Sequence, residues 1–451
     1  MSGLSTHRLP CYTFIAAIAL LALAPLPITL ASPPELDWAE PHTLAVGDAQ
    51  RGPWRMNDSE FHYVDDPSAA FFEDGLLGVV WTDQAAQDLR FQRFGPDGEP
   101  EFEDPVNVSG SPDTFSWLPR VRIDGDHVYV LWQEIVFSGG SHGGEAFFAR
   151  STDAGKTFSE PINLSETTDG VGKGRLTSDA WDNGSLDLAV APDGTVHATW
   201  TAYEGGLYYT RSEDGGKTFS DPRHLAGDAE RPARGPSLAV GEEAVALAWG
   251  VGEDTAADIH LSRSADAGET WGDPSRIHPG DDHADAPSLA MDSEGRLHLA
   301  FAESPDTRLW LGQWRPGSYQ IRYTQASPGT TDFAAPLTVA DSTDTIESKS
   351  APYLAVDEAD RLYLIWERFS NTGDQSVSLG YATAPEPEAD FSEPSLLPGS
   401  AEPDLGFNGS LQGLFGDKLA VAPKGGVSVV NSTYLEGEAS RIWLHRGARV
   451  Q

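Results

Sequence analysis

The sequence predicts an all-β chain closed into a ring of seven four-stranded antiparallel blades, a β-propeller. Three observations carry that expectation. The phrase "RSTDAGKTFSEPINLS", starting at Arg150, returns almost word for word as "RSEDGGKTFSDPRHLA" from Arg211 and as "RSADAGETWGDPSRIH" from Arg263. Around it stand short alternating segments bounded by Gly, Pro or Asp, the pattern of strands joined by tight turns, and they recur seven times. One segment is missing at the C-terminal end and stands instead before the first unit. With Gly 46, Pro 32 and 10% aromatic residues among 451, the composition suits many short strands in one repeat-built unit.

The first strand of the unit reads "DPSAAFF", "LPRVRID", "SLDLAVAPDG", "GPSLAVGEEA", "APSLAMDSEG", "APYLAVDEAD" and "GDKLAVAPKG". The second reads "LLGVVWT", "VYVLWQE", "VHATWTA", "VALAWG", "LHLAFAE", "LYLIWER" and "VSVVNST". The third also occurs seven times, from "DLRFQRF" to "SRIWLHR", whereas the fourth follows its own third strand only six times. "AEPHTLAV", residues 39 to 46, carries the fourth-strand wording, and the chain ends just after "RIWLHRGARVQ". The N-terminal strand is therefore expected to complete the last blade and close the ring, which leaves no sheet edge unpaired at the seam.

Ahead of the ring, His7 and Arg8 precede an apolar run from Phe14 to Leu30 and the tetrad "TLAS". This reads as a secretory signal peptide over residues 1–31, with Thr29 and Ala31 at the two positions a signal peptidase inspects. An uncleaved anchor is the rival, and Pro25 and Pro27 argue against it by interrupting the run. The expectation is a secreted or periplasmic chain in which residues 32–451 are a single propeller with no membrane span. Cys11, the sole cysteine, falls in the leader, so the mature chain offers no disulfide and no thiolate metal site. The formal charge of -39 is spread along the chain, and no Lys/Arg run opposes it, which excludes nucleic acid as a partner. No spacing resembles a zinc site, a P-loop or a nucleophile elbow, so no metal and no cofactor is expected.

Within each repeated phrase the pattern S-x-D-x-G-x-T-[F/W] stands complete: Ser151 to Phe158, Ser212 to Phe219 and Ser264 to Trp271. It resembles the Asp-box, or BNR repeat, of the sialidase superfamily, and the resemblance covers essentially the whole mature chain. The residues read as a structural staple. Asp153, Asp214 and Asp266 are placed to accept hydrogen bonds from turn N–H groups, and Gly155, Gly216 and Gly268 permit positive φ. The Thr hydroxyl ties the loop, while Phe158, Phe219 and Trp271 pack into the blade. A calcium loop would need a ladder of oxygen ligands and a terminal Glu, which each box lacks.

Chemistry is expected at the channel instead. Alternation along the first strands sends one tier of side chains to the channel: Ser68, Arg120, Asp187, Ser237, Ser288, Tyr353 and Lys418. The next tier is alanine in six units and Arg122 in the seventh. A guanidinium there must be answered by a carboxylate, for which Asp187 is the candidate, or by a ligand. Arg120, Arg122, Arg234, Lys349 and Lys418 are thus the candidate ligand-binding cations, suited to a carboxylated sugar or another small anion. Asp83, Glu134, Asp187 and Tyr353 are the candidate catalytic groups near the same end. Aromatic side chains at Trp54, Trp181, Trp310 and Trp314 are candidates for stacking on sugar faces.

The resemblance to sialidases implies three arginines on a substrate carboxylate, a tyrosine nucleophile with a glutamate partner, and an aspartate acid/base. Arg234 and Lys349 precede first strands where two of those arginines would stand. The Arg-Ile-Pro signature is replaced by "DDPSAAF", and the loop before the last blade holds no tyrosine. Exo-sialidase chemistry is therefore not expected. The leading reading is glycan recognition at the channel mouth, with or without hydrolysis. A non-catalytic envelope or extracellular propeller with a protein partner is the alternative, and lyase action on a uronate-containing glycan is the third. Oligomeric state is not readable.

Overall fold

The computed structural model describes residues 36–50, 52, 60–111, 114–135, 144–167, 173–177, 180–183, 185–203, 205–252, 257–278, 282–304, 307–310, 313–316, 318–342, 347–370, 376–401, 417–422 and 425–449. The leader expected over residues 1–31 lies outside them. Residues 33–451 make one compact unit.

That unit is a seven-bladed β-propeller of four-stranded antiparallel sheets. Blade 1 comprises Val64–Phe71, Leu77–Asp83, Asp88–Phe94 and Val106–Asn107, and blade 2 comprises Phe115–Asp124, His127–Ile135, Glu145–Ser151 and Ile162–Asn163. Blade 3 is Leu186–Val190, Val196–Thr201, Leu207–Ser212 and Arg223–Ala226, and blade 4 is Ala233–Val240, Val245–Val251, Asp258–Ser264 and Ser275–Arg276. Blade 5 is His283–Met291, Leu297–Ser304, Gln320–Ala326 and Leu337–Ala340, and blade 6 is Glu347–Val356, Leu362–Ser370, Ser376–Ala384 and Ser395–Leu396. Blade 7 has Leu419–Val421, Val427–Leu435 and Ala439–Arg449, and the N-terminal His42–Gly47 pairs with the last of these as its fourth strand. The ring therefore closes as expected. A further short strand, Leu36–Trp38, pairs with the far end of Ala439–Arg449. Two hairpins depart from the repeat, Lys173–Thr177 with Ala180–Asn183 and Thr307–Trp310 with Gln313–Pro316.

Burial falls from the axis outward, and sequence follows it. Second strands are covered on both faces by neighbouring blades, so Val196–Thr201 and Leu297–Ser304 are buried at every position. Third strands alternate, and fourth strands are mostly open to solvent. At one equivalent place the second strands of blades 1 to 6 bury Trp81, Trp132, Trp200, Trp249, Phe301 and Trp366 between blades, where truncation would cost about 3–5 kcal/mol.

The first strands touch in consecutive pairs all round the axis. Side chains of the channel-facing tier clasp four blades to the next. Ser68 Oγ accepts the Val121 N–H at 3.1 Å, Asp187 Oδ2 accepts Leu238 N–H at 2.7 Å, Ser237 Oγ accepts Leu289 N–H at 3.0 Å, and Ser288 Oγ accepts Leu354 N–H at 2.9 Å. Across the seam the Asp417 carbonyl accepts Ala69 N–H at 3.3 Å. The repeated Ser is thus an inter-blade acceptor.

Candidate functional site

Five first strands carry the same kink. Register shifts between Asp65 and Ser68, Trp117 and Arg120, Arg234 and Ser237, Asp285 and Ser288, and Ser350 and Tyr353. Inside each kink one residue has positive φ: Asp66 (50°), Leu118 (55°), Gly235 (53°), Ala286 (52°) and Ala351 (47°). Each is followed by proline, which has no N–H to lose from the ladder. The N-terminal part of each kinked strand pairs with the C-terminal end of its second strand, so both lie at one end of the ring.

Asp66 is unlike the other four. A left-handed conformation is costly for a side chain that is not glycine, and here it places a carboxyl in the interior. Among the described residues the Asp66 oxygens meet no donor within strict hydrogen-bond geometry, and the Trp117 indole is the side chain that approaches as one. Burial first, and then the charge of adjacent Asp65, push this carboxyl well above the usual carboxylate range, while the Trp117 indole, Arg120 and Lys418 pull the other way. Thr82 Oγ1 and both polar ends of Gln84, in the same blade, are likewise buried without a partner among the described residues. Asp65 is held by the Ser432 hydroxyl at 2.5 Å.

Lys418 and Glu367 form a fully buried ion pair beside this carboxyl, and Ser376 Oγ donates to the other Glu367 oxygen. The Lys418 ammonium lies 5.9 Å from the Tyr353 ring centre. Burial, then Glu367, push the Tyr353 phenol well above its usual pKa despite Arg120, so the phenol is neutral. The charges are linked at this end of the ring: Asp66 feels Arg120 and Lys418, Tyr353 feels Glu367, Arg120, Asp417 and Asp66, and Asp417 feels Arg120.

The other predicted cations are answered within the chain. Arg122 bonds Asp417 at 2.5 Å and Asp187 at 3.3 Å, so the expected Asp187 partner is joined by a second carboxylate. Burial works against the Arg122 charge, but Asp417 and Asp187 outweigh it and raise its pKa. Asp187 is raised to about 6, chiefly by burial and against the pull of Arg122. Asp417 is lowered, since Arg122 and Arg120 together overcome its burial. Arg234 grips Asp285 at 2.8 Å, with Gly250 opposite: a Cβ there would meet Asp285 Oδ1 at 2.8 Å. Lys349 Nζ donates to the Asp341 carbonyl at 2.8 Å.

The structure does not bring Asp83 and Glu134 into the cluster. Asp83 caps a turn through Ala86 N–H at 3.2 Å and faces Arg90 at 3.6 Å. Glu134 accepts from Thr114, from Ser116 at 2.7 Å and from the Trp132 indole at 2.6 Å. Trp54 lies outside the described residues, as do the side chains of Trp181, Trp310 and Trp314. Among the described residues no group of three or more His, Cys, Asp or Glu is placed to hold a metal ion. Sequence reasoning missed Asp65, Asp66, Asp285 and Asp417. For Asp66 a signal existed: it stands where four other units write Leu, Gly or Ala before proline.

At the opposite end of each blade the three repeated loops make one set of bonds. Asp153 accepts Thr157 N–H at 2.9 Å and Thr157 Oγ1 at 2.7 Å, and Ser151 Oγ accepts Gly155 N–H at 2.9 Å. Asp214 and Asp266 repeat the pattern with Thr218 and Thr270. The loop aromatic reaches the preceding blade: Phe158 meets Phe91, Phe219 meets Phe148 and Trp271 meets Tyr209, with ring centres 5.5, 4.8 and 4.9 Å apart.

No family model matches the chain, and no curated protein matches it in sequence. Solved structures do. An ulvan lyase representing a new polysaccharide lyase family, also seen bound to -[GlcA(1-4)Rha3S]-, is 12% identical at a TM-score of 0.55, covering 89% of this chain and 94% of its own. Polysaccharide lyase Uly1 is 11% identical at a TM-score of 0.53, covering 92% and 100%. The Hadza microbial sialidase Hz136 is 15% identical at a TM-score of 0.43, covering 69% and 66%. The likeness is one of fold, and several of the solved structures that share it are glycan-acting proteins.

Proposed function

We propose that this protein is an exported propeller that binds an acidic glycan at the kinked end of its channel and cleaves it, with Asp66 as proton donor. The observation that carries the reading is the Asp66 carboxyl: buried, backbone-strained, approached by no hydrogen-bond donor but the Trp117 indole among the described residues, and driven toward its neutral form beside Arg120 and Lys418. A carboxyl kept protonated next to cations can give its proton to a glycosidic oxygen while the cations steady a sugar carboxylate. In hydrolysis the C–O bond breaks, the leaving oxygen takes the Asp66 proton, and water supplies the replacement hydroxyl and the returning proton. The repeated loops that resemble Asp-boxes serve in this reading as inter-blade staples, and the apolar N-terminal run as the export signal.

A second reading, elimination from a uronate, is favoured by Tyr353, a neutral phenol in the same cluster, and by the fold shared with lyases. One assay separates the readings. A uronate-containing polysaccharide is incubated with the wild type and with Asp66→Asn, and reducing ends and unsaturated uronate absorbance are followed together. New reducing ends without the absorbance, reduced about 100-fold or more in Asp66→Asn, are expected for hydrolysis. Both signals together would show elimination, and binding without either would make the protein a lectin-like propeller.

A further inference from the structure

A second site is visible when blades are compared at one position, two residues past the buried second-strand aromatic. In blade 2 that residue is Glu134, and its carboxylate takes the Trp132 indole N–H and the Ser116 and Thr114 hydroxyls. In blade 5 it is Glu303, whose carboxylate meets Arg322 at 3.3 Å, Gln320 at 3.2 Å and His278 at 3.1 Å. In blade 1 it is Asp83, facing Arg90. In blades 1 and 5 donors come from the third strand, with His278 of the preceding connector joining them in blade 5, and in blade 2 they are the aromatic's own indole and the hydroxyls of Thr114 and Ser116 at the start of the first strand.

Blade 4 keeps the donors and lacks the acid. Val251 occupies the position, and Trp249 Nε1 and His260 Nε2 are both buried with no hydrogen-bond partner among the described residues. His260 stands across the sheet from Trp249, as Arg322 stands across from Phe301. Where the missing carboxylate would lie there is a cavity of about 290 Å³ between blades 3 and 4, lined by Trp249, His260, Val251, Pro274, Asp228 and Arg231. Arg231 lies at its exposed rim on the connector from blade 3. Asp228 Oδ1 accepts the N–H groups of Glu230 and Arg231 at 2.8 Å, and the charges of Arg231 and His224 face its carboxylate. Trp200 and Trp366 also leave their indole N–H without a partner among the described residues, but Tyr208 stacks beside Trp200 and Gly380 lies opposite Trp366, so neither has an imidazole beside it.

We propose that this cavity binds a carboxylate from outside the chain, that of a uronic acid monosaccharide, through the Trp249 indole N–H, His260 and Arg231. The volume accommodates one sugar ring, and a guanidinium with two further donors matches a planar two-oxygen acceptor. The site is separate from the Asp66 cluster, so it stands whether or not that cluster is catalytic.

Glucuronate, with glucose as the neutral control, is titrated into protein carrying 15N-labelled tryptophan, and the Trp249 indole resonance is assigned by its loss in Trp249→Phe. The resonance should shift to saturation with glucuronate and stay in place with glucose. Val251→Glu, which restores the internal acid, should show the resonance already displaced and no further response. Arg231→Ala, a change at the exposed rim that leaves the core intact, should weaken binding about tenfold or more. An unmoved resonance, an equal shift with glucose, or full glucuronate binding in either Val251→Glu or Arg231→Ala would overturn the proposal.

Discussion

The two ends of the ring solve opposite problems. At the end carrying the repeated loops, Asp153, Asp214 and Asp266 make the same bonds three times and each loop aromatic docks on the preceding blade. At the kinked end, five strands share one backbone device but differ in side chains, and one of them buries an acid that, among the described residues, only the Trp117 indole approaches as a donor. Repetition that satisfies the loop carboxylates and turn N–H groups in the same way three times is what stability selects. A departure that costs desolvation and backbone strain persists where something else uses it. The loudest motif therefore marks the joints of the ring, and a quiet change of one residue marks the proposed site.

The largest expected effect lies at the kinked end. Lys418→Met leaves the Glu367 carboxylate buried without its ammonium, and should lower unfolding free energy by about 3–5 kcal/mol in a urea titration. An unchanged midpoint would mean that the pair is not needed to hold the channel wall. At the loop end, Gly268→Ala adds a Cβ that would sit 1.8 Å from the Tyr209 hydroxyl at φ 87°, and should cost about 1–3 kcal/mol. Gly295→Ala is the control: its φ is 79° with nothing within 4 Å, so only the backbone penalty of about 1 kcal/mol remains. Equal losses would show that loop docking contributes little.

A smaller effect is read from pH. Asp187 is raised to about 6, so between about pH 4 and 6 the folded chain holds a proton that the unfolded chain has released, and this group makes stability fall as pH rises. The imidazoles of His197, His283 and His445, held at about 4 chiefly by burial, oppose it in the same window because the unfolded chain takes those protons first. The wild type should thus lose stability on acidification from pH 6.5 to 4. Asp187→Asn, with its opposing contribution gone, should lose it more steeply, by on the order of 1 kcal/mol. Parallel pH profiles would place the Asp187 carboxyl in its ordinary range.

Much of the ring was legible because its cause is local. Period-two alternation, Gly and Pro at the turns, and a Trp or Phe near the end of most second strands mark each blade, and the displaced segment at residues 39–46 gave the closure. The site was legible in part. Arg122 stands out among alanines, but its stronger partner, Asp417, is 295 residues distant in sequence, and no spacing links them. The kinks were hidden because sequence shows the proline and not the left-handed residue before it. The loop aromatics were placed within their own blades, whereas the structure seats them on neighbours, a choice that depends on blade-to-blade distance.

The most direct test of the central claim is the protonation state of Asp66. Infrared difference spectroscopy at pH 7 between the wild type and Asp66→Asn, a neutral replacement expected to change stability by under about 1 kcal/mol, reads it without a substrate. The account predicts a protonated-carboxyl band in the wild type that is missing in the variant and that changes when an acidic oligosaccharide binds. A difference spectrum showing only an ionised carboxylate at Asp66 would contradict it.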